Sequence, residues 1–409
     1  MFLHCHSKVG CTLNAWCDFS QETATSRFLF IMNNRLTRRY PFYHRIFQLA
    51  LLCSIILEVG CGTSISPALP SPTSSLPTVT YHISGAKILD NHGHVFLPYG
   101  VHLMGLYTSN WRHDLAIAHL NRDQMAAARK IWHSNTVSIQ LASANLFATT
   151  PYDSEYLTRI DQEVTWAHQE GMNILLVLQY EATTQQPLPT QDSIRFWDFM
   201  SSHYRDDPWV FFDVFNEPVR PPGLSEAETW PLWQQGGDGY VGMQELVNTI
   251  RKNGAENLIF VDGLAAGEDL NGVPAHRIRG DNIVYAIHPY FGVQHQTKNQ
   301  WDSWFGKVAL RANFPIVADE WSEYQSTNAE CIPQAPALVP RFLSYLKARH
   351  IGLIAWALFP GLLIRGWNYA DPTDFDQPGY PCNASFPNYD PSAQGAGQLT
   401  LQYFVDNAS

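Results

Sequence analysis

The sequence predicts an α/β fold, a (β/α)8 barrel in one domain with a short N-terminal hairpin. Three observations predict it. Apolar runs of strand length alternate with helical stretches over most of the chain. The runs lack a regular polar alternation, as expected of parallel strands covered on both faces. Counted from "FLPYGVHLMG" (96–105) there are eight of them, and no GxGxxG follows the first, as an open doubly wound sheet would favour.

In order, "ISGAKILDNHGHVFLPYG" reads as short strands around a DNHG turn, a hairpin capping a larger fold. "NTVSIQLA" (135–142) is the second barrel strand. A helix over 154–171 ends at Gly171, and "MNILLVLQY" (172–180) follows. A helix over 193–206 leads to "WVFFDVF" (209–215), and one over 239–254 to "NLIFVDG" (257–263). "NIVYAIHPY" (282–290) and "FPIVADEW" (314–321) are the next two strands. The helix 337–350 precedes "IGLIAWALF" (351–359).

Residues 1–61 read as an N-terminal extension with an export signal. Arg35, Arg38, Arg39 and Arg45 precede an apolar run from Ile46 to Val59, the right length for a signal core and short for a membrane span. Met32 is a candidate true start. Cys61 offers a lipid-anchor alternative, disfavoured by Glu58. Residues 62–79 are a Ser/Pro/Thr linker and 80–409 the working domain. The expected product is secreted, monomeric and without a membrane span when mature. Of seven cysteines, Cys331 and Cys382 lie in the domain and are a candidate disulfide. No CxxC spacing suggests zinc, so no metal or cofactor is expected. The net charge of −11 argues against nucleic acid. The 13 Trp and 18 Tyr hint at flat faces suited to sugar rings.

Barrel active sites lie at the C-terminal strand ends. Those ends offer His102, with Trp111 and Arg112 in the loop beyond, then Gln179, Asn216, Glu217, His288, Tyr290, Asp319, Glu320, Trp321 and Trp356. Glu217 and Glu320 form the pair that glycosidic cleavage requires, one to protonate the leaving oxygen and one to attack. Adjacent strand residues face opposite ways, so only one of Asp319 and Glu320 is expected inside.

"VFFDVFNEP", "NIVYAIHPYFG", "FPIVADEW" and "IGLIAWALFPG" together resemble glycoside hydrolase family 5, cellulase-type barrels of the Asn-Glu-Pro clan. The resemblance implies a retaining endo-acting β-glycoside hydrolase, with β-1,4-glucan or β-mannan as the polysaccharide substrate. Glu217 becomes the acid/base and Glu320 the nucleophile. Asn216 meets the sugar 2-hydroxyl, Tyr290 holds the nucleophile, His288 lines the acid/base, and Trp356 forms a platform. Trp111, Trp230, Trp233 and Trp321 are further candidate platforms. Two departures stand out: Ser138 replaces the usual strand-two Arg, for which Arg112 is a candidate substitute, and Gln179 replaces a frequent His. The alternatives are a catalytically impaired carbohydrate-binding barrel, or a β-1,3-glucanase or β-glucosidase.

Overall fold

The structure, a computed structural model, describes residues 79–118, 120–182, 186–291, 296–322, 335–359, 362–364 and 396–407. The export segment, Met32, Cys61, the linker up to residue 78, Cys331 and Cys382 lie outside the described residues.

Eight parallel strands close into a barrel in chain order. They are β1 (Tyr99–Leu103), β2 (Thr136–Ala142), β3 (Asn173–Tyr180), β4 (Val210–Asp213), β5 (Ile259–Asp262), β6 (Ile283–Ala286), β7 (Ile316–Trp321) and β8 (Gly352–Ala355). Pairing of Leu353 with Tyr99 and of Ala355 with Val101 closes the ring. The period-two alternation divides each strand between two cores. Leu175, Val177, Phe211, Phe260, Val284, Val317 and Ile354 fill the interior. Val137, Ile139, Leu141, Ile174, Leu176 and Leu178 face the helical shell. Both faces are therefore buried, which is why the strands read as apolar runs.

The N-terminal hairpin exists, pairing Tyr81–Ser84 with Lys87–Asp90, and Val95–Phe96 adds a third strand. Tyr81, Ile83 and Phe96 pack on the interior cluster, with the Tyr81 ring 5.4 Å from Phe211. Phe211 sits near the start of β4, so this small sheet stops the N-terminal end of the barrel. The opposite end is left as the mouth.

Helix starts are locally encoded. Asp153 accepts from the backbone N–H groups of Glu155 and Tyr156 to begin the helix Ser154–Gln169. Thr190 caps Gln191–Tyr204 in the same way. The helix Glu226–Gln235 does not stand out in the sequence because Pro231 interrupts it. Its signal is the reciprocal capping box of Ser225 and Glu228.

Candidate active site

Glu217 does not end a strand. β4 stops at Asp213, although Asn216 still donates to the Leu178 carbonyl at 3.0 Å, so ladder bonding outlasts the strand. Glu217 then adopts φ +51°, in the left-handed region. That conformation costs a side-chain-bearing residue about 1–2 kcal/mol. Its N–H donates to Asp262 Oδ2 at 2.8 Å. A hydrogen bond is worth about 0.5–1.5 kcal/mol, comparable with the strain. The turn lifts the Glu217 side chain into the mouth, where it is 24% exposed.

Glu320 is held by a different device. Strict alternation would put only one of Asp319 and Glu320 inside, but β7 is irregular: its register against β8 shifts between Ala318 and Trp321. A bulge re-aims consecutive side chains. Asp319 Oδ1 lies 3.4 Å from His288 Nε2, and Glu320 Oε1 accepts from the Tyr290 hydroxyl at 2.7 Å. Both therefore face the site, correcting the expectation of one. Trp321 is turned outward into the shell, its ring 5.3 Å from Phe291 and 5.1 Å from Phe342.

His288 joins the two halves. Its Nδ1 lies 3.3 Å from Glu217 Oε1, and its Nε2 lies 3.5 Å from Asp262 Oδ2. Close approach of Gly267 makes room for it: a Cβ there would lie 2.9 Å from the His288 ring, and Gly267 has φ +77°. Burial alone would push the imidazole down, but Asp262, Glu320, Asp319 and Glu217 together hold it well above the usual histidine range. Burial raises Glu320 to about 7; His288 and the Tyr290 hydroxyl pull against this, while Glu217 and Asp319 add to it. Beneath them, burial and the repulsion of Asp262 and Asp319 push Asp213 well above the carboxylate range. Burial likewise raises Asp262, with His288 opposing and Asp319 assisting. Asp262 faces the cation and the Glu217 N–H, whereas Asp213 accepts only from the Phe215 N–H at 3.3 Å. Asp213 is thus the better place for a shared proton.

His102 stands one step back from the site. Its Nε2 bonds the Asp319 carbonyl, and Gln140 Nε2 lies 2.6 Å from its Nδ1. Burial pushes its imidazole down to about 3, so the neutral ring donates to Asp319 and accepts from Gln140. The strand-two position is Ser138, buried and in register with His102. Arg112 does not replace the Arg. It is exposed, pairing with Glu155 at 2.6 Å and Asp153 at 3.5 Å.

Trp356 is half-buried beside the site, its ring 5.2 Å from His102. Asn216 is buried next to Glu217. Gln179, one residue before the end of β3, is half-buried and bonds the Tyr180 hydroxyl. The four other candidate tryptophans are not platforms. Trp111 is 5% exposed and packs edge-on to Tyr156 at 5.2 Å, Trp230 packs on Trp233, and Trp233 and Trp321 are fully buried. Sequence reasoning passed over Tyr107. It is half-buried with Tyr180, their rings 5.8 Å apart, and both hydroxyls feel the charge of Glu320. Burial, Tyr180 and that charge push Tyr107 up to about 12.

Among the described residues two donor sets are compact enough for a cation: Glu217, His288 and Glu320, and Asp262, His288 and Asp319, each within 4.8 Å. Both need a lone pair on His288. Metal binding requires a neutral imidazole, and the carboxylates hold this one protonated. The residues fit a charge network better than a metal site.

A closed barrel with two glutamates converging at its mouth is the architecture of the barrel glycoside hydrolases. The sequence profile of the cellulase family, glycosyl hydrolase family 5, matches residues 90–361, and the chain belongs to that family. Among curated relatives, endoglucanase N of Pectobacterium atrosepticum is 21% identical over 70% of this chain and 60% of its own length. Endoglucanase A of Evansella cellulosilytica is 22% identical over 50% of this chain and 39% of its own. The chain thus spans 60% and 39% of the length of these two relatives, less than two thirds of either. A β-glucanase from Saccharophagus degradans, solved with cellotetraose, superposes with a TM-score of 0.63 at 19% identity, covering 84% of this chain and 99% of its own. An endocellulase from Pyrococcus horikoshii superposes at 0.60 with 17% identity, over 81% of this chain and 99% of its own.

Proposed function

We propose that the protein is a retaining endo-β-glycanase acting on β-1,4-glucan by double displacement. The observation that carries this reading is the pair itself: one carboxylate oxygen of Glu217 and one of Glu320 lie within 4.8 Å. Retaining pairs stand about 5–5.5 Å apart, whereas inverting pairs leave about 6.5–9.5 Å for a water. Glu217 is the acid/base, because it is the partly exposed carboxyl that can reach an outgoing oxygen. Glu320 is the nucleophile. Burial alone would favour its neutral form, but Tyr290 and His288 support the charge it needs to attack the anomeric carbon. Attack displaces the leaving sugar as Glu217 delivers its proton. Water deprotonated by Glu217 then releases the sugar from Glu320, with net retention.

β-1,4-Glucan is favoured over mannan by the endoglucanase relatives and by the β-glucanase solved with cellotetraose. Tyr107, Tyr180 and Trp356 supply the aromatic faces of the cleft. Secretion is part of the proposal and rests on the basic-then-apolar stretch at 35–59. The test is a reducing-sugar assay on soluble cellulose, mannan, xyloglucan and β-1,3-glucan, with Glu217→Gln and Glu320→Gln as controls. Turnover on soluble cellulose that both substitutions abolish supports the reading. Turnover unaffected by either contradicts it.

A further inference from the structure

We propose that Asp262, with Asp319 beside it, is a positioning residue for both catalytic carboxylates, closing a ring of contacts through His288 that sets their place and charge. The inference rests on the acid/base and nucleophile assignments above.

The ring has three links. The Glu217 N–H donates to Asp262 Oδ2 at 2.8 Å. The same oxygen lies 3.5 Å from His288 Nε2. His288 Nδ1 lies 3.3 Å from Glu217 Oε1, which returns to the starting residue. One carboxylate thus holds the left-handed backbone of the acid/base and also the imidazole that meets its side chain. Asp319 Oδ1 reaches the same Nε2 at 3.4 Å. With acceptors at both nitrogens, the ring is fixed in orientation and doubly protonated.

The strand-two position in register with His102 is the neutral Ser138, and Arg112 is engaged with Glu155. The cation acting on Glu320 is His288, and the other charges acting on it are Glu217 and Asp319. Asp262 therefore influences Glu320 through the imidazole. The groups facing His288 are Glu217 and Asp213 after and on β4, Asp262 on β5, Asp319 and Glu320 on β7, and His102 on β1. Tyr290 follows on its own segment. Asp262 alone among them also bonds the acid/base backbone.

The test is Asp262→Asn in the full chain. Asn keeps an acceptor for the Glu217 N–H but removes the charge facing His288. The pH profile of kcat/KM on cello-oligosaccharides is the readout, with the thermal melt as a folding control. The expected result is a loss of about 10- to 100-fold near neutrality, with the acid limb moved up by about one pH unit, because a weaker imidazolium lets the Glu320 pKa rise. A folded variant with the parent profile, or one whose loss is equal at every pH, overturns the proposal. A second readout needs no Asp262 variant: ¹⁵N NMR of the parent, with His288 assigned by difference against His288→Asn. Two protonated ring nitrogens at pH 7 support the proposal, and a neutral ring overturns it. Glu217→Gln at parental turnover would overturn the underlying acid/base assignment. An impaired Glu217→Gln with an unaffected Asp262→Asn overturns the positioning role alone.

Discussion

Glu217 and Glu320 meet at one mouth but are held there by opposite means. Glu217 rides a left-handed turn beyond its strand, fixed by one backbone hydrogen bond to Asp262 and still open to solvent. Glu320 lies within β7, buried, aimed by a bulge and held by a tyrosine hydroxyl. The difference matches the two tasks. An acid that must follow a departing oxygen gains from access. A nucleophile gains from a rigid, dry position in which a single donor counts for more.

The largest effect expected from breaking this contrast is at the buried side. Glu320→Gln should lower kcat by about 10⁴-fold or more on every substrate, since it removes the group proposed to form the covalent bond. Glu217→Ala should cost about 10²–10⁴-fold on polysaccharide. Its loss should shrink on aryl glycosides with good leaving groups, which depart without a proton. Equal losses on both substrates would mean that Glu217 does not serve as the acid. Tyr290→Phe removes the hydroxyl that favours the charged form of Glu320. A fall of about 10- to 100-fold is expected, with the acid limb of the rate profile displaced to higher pH. An unmoved limb would separate Tyr290 from the nucleophile.

Stability should carry a weaker signature of the same burial. Glu320 and Glu163 are each raised to about 7 by burial, above their unfolded values near 4.5. A carboxyl with a raised folded pKa contributes its full stability below the unfolded pKa and loses it as pH rises through the folded one. The melting temperature should therefore fall by several degrees between pH 5 and pH 8, as scanning calorimetry would register. The smallest effect is expected at the rim, where Tyr107→Ala or Tyr180→Ala should raise KM several-fold with kcat little changed.

Much of this was legible in the sequence. The Asn-Glu-Pro stretch, the Asp-Glu-Trp stretch and the His-x-Tyr spacing pointed to Glu217, Glu320 and Tyr290, which the fold brings to one mouth, because each lies within a few residues of its own strand. Contacts made between distant strands were not legible. The β7 bulge depends on pairing with β8, and local alternation admitted only one of Asp319 and Glu320. Asp262 is the last residue of β5, and its role appears only once Glu217 has turned back onto it. Tryptophan was misread for a related reason. A residue type that suits sugar stacking also suits a large core, and burial of Trp111, Trp230, Trp233 and Trp321 is decided by neighbours far along the chain. Tyr107 was missed because it lies four residues past β1, in a loop with no periodicity.

The central claim is that the two glutamates act from one cleft through a covalent intermediate. Proton NMR of the glycone product freed from the glycosyl-enzyme, followed from the earliest turnovers of a cello-oligosaccharide, tests it most directly. The account predicts the β-anomer at the new reducing end before mutarotation sets in; the α-anomer appearing first would contradict it.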